Sequence, residues 1–191
     1  MLRVMLVDDS HEEDSPLKEG LVCAGYDVVV VSSAGLALAE RVTELEPDVI
    51  IIDTESPSRD VLEHIGVVSA RAPRPILMFT DDGENASIHA ALKAGVSAYV
   101  VAGIQPERLG PILDVAVARF AHEQALRGEL RDAQTKLVER KVIERAKGIL
   151  MKQKGVSEEE AFRLLRTLAM DKNAKLLDVA QQVVDVAKLL S

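Results

Sequence analysis

The chain reads as an α/β protein: a doubly wound, five-stranded parallel sheet, followed by a long coiled-coil helix and a small three-helix unit. Two observations predict the sheet domain. Five short apolar runs are separated by stretches of helical spacing, and runs of this length suit strands buried on both faces. Acidic residues stand at the ends of the first and third runs. A third observation predicts the tail: no proline occurs from 112 to 191, and apolar residues there recur at helical spacing.

The strands come in order. Residues 2–7 form an apolar run stopped by Asp8 and Asp9, and four valines follow at 28–31. Residues 49–52, Val-Ile-Ile-Ile, end at Asp53. Residues 75–79 precede Thr80, and 98–101 read Ala-Tyr-Val-Val. Between them, Leu36, Ala39, Val42 and Leu45 mark one helix. Ala86, His89, Ala90 and Lys93 mark another, which Gly95 stops. The β-α alternation predicts a doubly wound domain over 1–120.

Beyond it, Leu126, Leu130, Ala133 and Leu137 follow a 4-3-4 spacing with charged flanks, the seam of a coiled coil. It predicts a linker helix over 121–138 and a homodimer joined through it; a connector helix packed on its own domain is the other reading of so short a seam. Gly155-Val156-Ser157 then breaks the helix, and Ser157 with Glu160 forms a capping box. Ala161, Leu164, Leu165 and Leu168 make one apolar face; Leu176, Val179, Ala180, Val183, Val184 and Ala187 make the next. Residues 139–191 therefore form the small helical unit.

Composition narrows the function. The net charge is −8, but it divides unevenly. Residues 1–120 carry 9 basic and 20 acidic side chains; residues 136–175 carry 11 basic and 6 acidic. An acidic front and a basic rear point either to two modules with different partners or to a helix-rich tail with a solvated charged face. Aromatics make up only 3%, which argues against stacking platforms built from rings. The lone Cys23 excludes an internal disulfide and reads as a small buried hydrophobe. No apolar run approaches the roughly 20 residues of a membrane span. Acids arrive too early for a signal peptide, so the expected place is the cytoplasm, with no membrane partner.

In a parallel sheet, strand ends of one sense share an edge, so Asp8, Asp9 and Asp53 should converge there. Clustered carboxylates repel one another unless a cation joins them, and a hard ion such as Mg²⁺ suits oxygen donors. A carboxylate beside Mg²⁺ can accept a phosphoryl group. Thr80 adds a hydroxyl at the same edge.

By order and separation, Asp8-Asp9, Asp53, Thr80 and Tyr99 resemble the response-regulator receiver domain, whose fold is flavodoxin-like. That resemblance implies Asp53 as phosphoacceptor. It implies a Mg²⁺ site from Asp8, Asp9, Asp53 and the Glu55 backbone carbonyl, and Thr80 with Tyr99 as the switch pair. Receivers usually carry Lys-Pro three residues after the aromatic, where this chain has Ala102-Gly103. Without that point charge on the phosphate, coupling of phosphorylation to output should be weak. Control by a ligand-sensing protein partner is then expected, with a histidine kinase as the other input.

Residues 140–170 resemble the ANTAR domain, an RNA-binding antitermination module found behind receivers. The matching elements are Ala146-Lys147-Gly148, Leu150-Met151, Gly155, Glu159 with Ala161, Leu165-Arg166, Ala169-Met170, and Leu176 with Val179-Ala180. The charge pattern agrees. Arg140, Lys147 and Lys154 recur every seven residues on one stripe, with Arg145 alongside, and can neutralise phosphates. Ala146 and Gly148 are small enough for a nucleic-acid backbone to approach, and Arg166 can reach from the next helix. Met151 and Met170 read as core fillers, and helix packing is the other reading of Gly148.

The resemblance implies binding of tandem hairpins in nascent leader RNA, favouring an antiterminator fold over a terminator. No enzymatic step is implied. The whole-chain layout is similar to NasT-type regulators of nitrate and nitrite assimilation, and the receiver without its lysine to the AmiR type. A DNA-binding two-component response regulator is the alternative. Against it, the helix after the break opens with Glu158, Glu159 and Glu160, which would repel DNA phosphates. A phosphatase using Asp53 would need a substrate pocket and a leaving-group acid, and the sequence offers neither.

Overall fold

A computed structural model of the chain describes residues 2–8, 16–32, 38–101 and 106–189. Twelve elements follow in order among these residues: β1 (Arg3–Asp8), α1 (Pro16–Cys23), β2 (Asp27–Ser32), α2 (Leu38–Leu45), β3 (Val49–Asp53), α3 (Arg59–Arg71), β4 (Ile76–Thr80), α4 (Asn85–Ala94), β5 (Ala98–Val101), α5 (Pro106–Lys154), α6 (Glu158–Asp171) and α7 (Leu176–Leu189). The chain divides into two compact units, residues 1–124 and 125–191, with the division inside α5. No described helix is long and apolar enough to cross a membrane.

In the first unit the five strands form one parallel sheet in the order β2-β1-β3-β4-β5. Side chains alternate between its faces, as the two-residue period of a strand requires. Val4, Leu6, Val49, Ile51, Leu77 and Phe79 pack on one side with Leu17 and Leu21 of α1 and Leu109 and Leu113 of α5. Met5, Val7, Ile50, Ile52, Ile76 and Met78 pack on the other with Val42 of α2, Ile65 and Val68 of α3 and Ala91 of α4. Both faces are covered, which is why the strands read as unbroken apolar runs rather than alternating ones.

Two details depart from the sequence reading. Helix α4 forms as expected, but its inner residue is Ala91, while Ala86, His89, Ala90 and Lys93 lie outside or on the rim. Alanines and one histidine carry little periodic signal, so the spacing located the helix and missed its face. Cys23, at the end of α1, is exposed rather than buried, because Leu17 and Leu21 hold the inner face of that short helix.

Gly95 ends α4 with φ +112°, a conformation that favours glycine. A Cβ built there would lie 2.3 Å from the Ser69 hydroxyl of α3, itself buried and without a hydrogen-bond partner among the described residues. Gly95→Ala is therefore expected to destabilise the first unit by about 2–4 kcal/mol, combining strained backbone with overpacking. The urea midpoint of the sheet unit reports this. An unchanged midpoint would mean that α3 and α4 separate without cost.

The second unit is built from the C-terminal part of α5 with α6 and α7. Its core is Ala146, Leu150, Ala161, Leu165, Ala169, Val179, Ala180 and Val184. Gly155 (φ +66°) closes α5 with its N–H on the Met151 carbonyl. Ser157 caps α6: its hydroxyl accepts the Glu160 N–H, and the Glu160 carboxylate accepts the Ser157 N–H at 3.0 Å. Four alanines stand at its centre, with Val142, Ile143, Ile149, Leu164, Leu176 and Val183 packed around them.

Candidate functional site

The first candidate site lies at the strand ends of the sheet. Parallel register sets Asp8 of β1 directly opposite Asp53 of β3. Asp8 is buried and Asp53 half-buried. Burial raises the Asp53 carboxyl above the ordinary carboxylate range, and the negative charges of Asp8 and Asp81 raise it further. Asp81, directly after β4, belongs to this field, as its place in the sequence beside Thr80 leads one to expect. Thr80 ends β4; its hydroxyl donates to the Glu55 carbonyl at 2.8 Å and accepts the Asp82 N–H at 3.2 Å. The structure thus brings Asp8, Asp53, Thr80 and the Glu55 carbonyl to one edge. Asp9, Ala102 and Gly103 lie outside the described residues.

Asp82 organises the rim of this edge. Its carboxylate accepts the Glu84 N–H at 2.8 Å and the Ser56 hydroxyl at 3.0 Å. Those bonds, with one from Ser87, hold its carboxyl below the ordinary range. The Tyr99 hydroxyl donates to the Asp82 carbonyl at 2.8 Å. Tyr99 is raised by burial and then by the charge of Asp82. The bond between Ser56 and Asp82 escapes a sequence reading, because only the fold brings the loops after β3 and β4 together.

The donors at this edge suit a hard cation: two carboxylates in register whose repulsion a divalent ion would relieve, and a carbonyl with a second lone pair. Among the described residues no cluster of three or more His, Cys, Asp or Glu side chains is placed to hold a metal.

The second candidate site is the basic helical unit. Arg140, Arg145, Gly148 and Lys154 of α5 and Arg166 of α6 are exposed. Ala146 is fully buried in the core, so its small size serves helix packing. Lys147 is also turned in. Its ammonium contacts Glu144 at 2.8 Å and Glu158 at 2.7 Å, tying the end of α5 to the start of α6. The bonds to Glu144 and Glu158 raise the Lys147 pKa, and the bond to Lys147 lowers that of Glu158. The seven-residue stripe is therefore interrupted at its middle.

A different face is continuous. Lys141, Arg145, Gly148 and Lys152 follow a 4-3-4 spacing and all are exposed. Gly148 stands in its middle, and a Cβ there would meet nothing within 4 Å. It is not a packing glycine. Met151 (37% exposed) and Met170 (72%) are likewise surface residues rather than core fillers. Lys141 and Lys152 were absent from the expected set because choosing among eleven cations needs knowledge of which face is buried. The seam residues Leu126, Leu130 and Leu137 are all more than half exposed.

Comparison with known proteins places both units. Residues 4–114 match the response regulator receiver domain, and residues 131–184 match the ANTAR domain. The transcriptional regulatory protein PdtaR of Mycobacterium tuberculosis is 31% identical over 183 residues, covering 96% of this chain and 89% of that protein. The nitrate regulatory protein of Klebsiella oxytoca is 42% identical over 83 residues, covering 43% of this chain and 21% of that one. Among solved structures, chemotaxis response regulator CheY4 of Vibrio cholerae aligns with a TM-score of 0.52 at 28% identity, over 61% of this chain and 98% of that one. Receiver domains of this kind generally bind Mg²⁺ in their acidic pocket. From the sheet, its acid edge and these two matches together, the chain belongs to the response regulators that carry a receiver domain followed by an ANTAR domain.

Proposed function

We propose that the protein is a transcription antitermination regulator that binds tandem hairpins in nascent leader RNA. The observation that carries this reading is the ANTAR match over 131–184, on a separately folded unit whose exposed cations line one helix face. Lys141, Arg145 and Lys152, with Arg140, Lys154 and Arg166, supply the phosphate contacts. Gly148 lets the RNA backbone close on α5. Ala146 and Lys147 act from beneath, by packing and by fixing the turn into α6. Binding favours one RNA fold over another through differential affinity alone, so no chemical step is needed.

Two copies join through the seam at 126–137, and each engages one hairpin. Domain roles follow the same division: 1–120 receives the signal, 121–138 joins the copies and 139–191 binds RNA. The protein acts in the cytoplasm. The controlled genes serve nitrate and nitrite assimilation, a reading supported by the partial likeness to the Klebsiella oxytoca nitrate regulatory protein.

A ligand-sensing protein docks on the receiver and sets its output. Asp53 is the phosphoacceptor for a histidine kinase, and Thr80 with Tyr99 form the switch. Asp8, Asp9, Asp53 and the Glu55 carbonyl would hold Mg²⁺, which supplies a positive charge for phosphoryl chemistry. The chain's own part is to place the Asp53 carboxylate beside Asp8 and to keep the Thr80 hydroxyl within the same edge.

The test is a salt-dependent titration of the full chain against the two-hairpin leader RNA of a neighbouring operon, with duplex DNA of the same sequence. Binding to RNA, falling steeply with salt and weakened about tenfold or more by Arg145→Ala with Arg166→Ala, is the expected result. The affinity of the same preparation for DNA is the control. Preference for DNA, or no RNA binding by a dimeric sample, overturns the reading.

A further inference from the structure

The second unit contains a single aromatic residue, Phe162. Its position is informative. Ala161, Leu165 and Ala169 form the buried face of α6, and Phe162 stands one residue off it with 41% of its surface exposed. The helix thus places an alanine in the core and its largest apolar side chain at the rim. The Lys147 ammonium lies over the ring, 6.0 Å from its centroid. Glu144 and Glu158 hold that ammonium in place, so one face of the ring is covered by a fixed cation. One turn along α6 from Phe162 is the exposed Arg166, and one turn along α5 from Lys147 is the exposed Met151.

We infer that Phe162 is the stacking platform for one unpaired base of the bound RNA hairpin, an inference that rests on the RNA-binding reading above. The exposed residues three and four positions from Phe162 on α6 are Glu158, Glu159 and Arg166, so within one turn of its own helix the ring has no exposed apolar neighbour. It offers the area of one base. The occupant follows from the unit as a whole, in which residues 136–175 carry 11 basic against 6 acidic side chains, while at the ring the exposed Arg166 is the cation for the phosphate that a loop base brings with it. Arg166 is placed for that phosphate, one turn from the ring, since Glu144 and Glu158 repel it from the Lys147 side. Stacking on aromatics is the common mode for splayed loop bases. The low aromatic content of the chain argued against stacking platforms, but that average carries no information about where the one ring stands.

The test uses the full-length protein and hairpin RNAs with a fixed stem and a randomised loop, enriched on the wild type. The preferred hairpin is then made with 2-aminopurine, or with an abasic site, at each loop position in turn. One loop position should show a stacking change in 2-aminopurine fluorescence with wild type and with Phe162→Trp, and none with Phe162→Leu. Phe162→Leu should bind about tenfold or more weakly, with an unchanged melting temperature. The abasic site should weaken wild-type binding by a similar factor and weaken Phe162→Leu no further. The abasic experiment on wild type needs no substitution, so it stands even where a variant folds poorly. Enrichment of hairpins with no loop position dependent on Phe162 overturns this inference alone. Absence of any enrichment overturns it together with the RNA-binding reading. A change of oligomeric state in Phe162→Leu, with RNA affinity intact, would make the ring a contact between copies and also overturn it.

Discussion

Leu130→Lys combined with Leu137→Lys is expected to abolish the proposed pairing of two copies, leaving a monomer, and to weaken binding of two-hairpin RNA by about a hundredfold or more. Leu130 and Leu137 are 58% and 59% exposed on α5, in line with Leu126 and Ala133. Each leucine buried between two copies contributes about 1.5–3 kcal/mol, and the double substitution removes four of them. It also sets like charges across the seam. Affinity for a single hairpin should be unchanged or slightly higher, since lysines add positive charge. A fall confined to two-hairpin RNA would therefore report lost linkage between two RNA-binding units rather than lost contacts. Sedimentation velocity measures the first effect and paired titrations the second. A variant that remains dimeric would remove the seam from the mechanism.

Leu165→Ala is expected to cost about 2–5 kcal/mol, enough to unfold most of the second unit near physiological temperature while the receiver stays folded. Leu165 is fully buried. Its neighbours in the core are Ala146, Ala161, Ala169, Ala180, two valines and Leu150. The four alanines among them are too short to fill the space, and the larger Ile143, Ile149, Leu164 and Leu176 pack at the edge of this core, so much of the cavity persists. A unit of this size also holds little surplus stability. The receiver's two cores, on either face of the sheet, do not include Leu165. Calorimetry should show the transition of the helical unit shifted down by many degrees and the other unmoved, with RNA binding lost. A single unshifted transition would mean that Leu165 is replaceable.

Much of the fold was legible because burial on both faces writes each strand as an apolar run. The order of Asp8, Asp53 and Thr80 along the chain was enough to place them at one edge, since parallel strands align their ends. The capping box at Ser157 and Glu160 was readable because its partners are three residues apart. Where partners are distant, the sequence was silent. Nothing local links Ser56 to Asp82, or Lys147 to Glu158, and those pairs shape the rims of both candidate sites. Face assignment failed where side chains are small: α4 turned its alanine at 91 inward rather than those at 86 and 90. Ala146, Met151 and Met170 likewise took places that residue type did not foretell.

By itself, then, the sequence determined the five strands in order with helices between them, the acid edge and the existence of a basic helical unit, but not that one helix, Pro106–Lys154, runs from the first unit through the seam into the second. The features it determined follow from residue type and short-range spacing. Only the tertiary structure decided which cations face solvent, that Lys147 is spent on Glu144 and Glu158, and that the one ring of the tail stands at the rim. A helix has several faces, and which of them is covered depends on contacts between residues far apart in the chain.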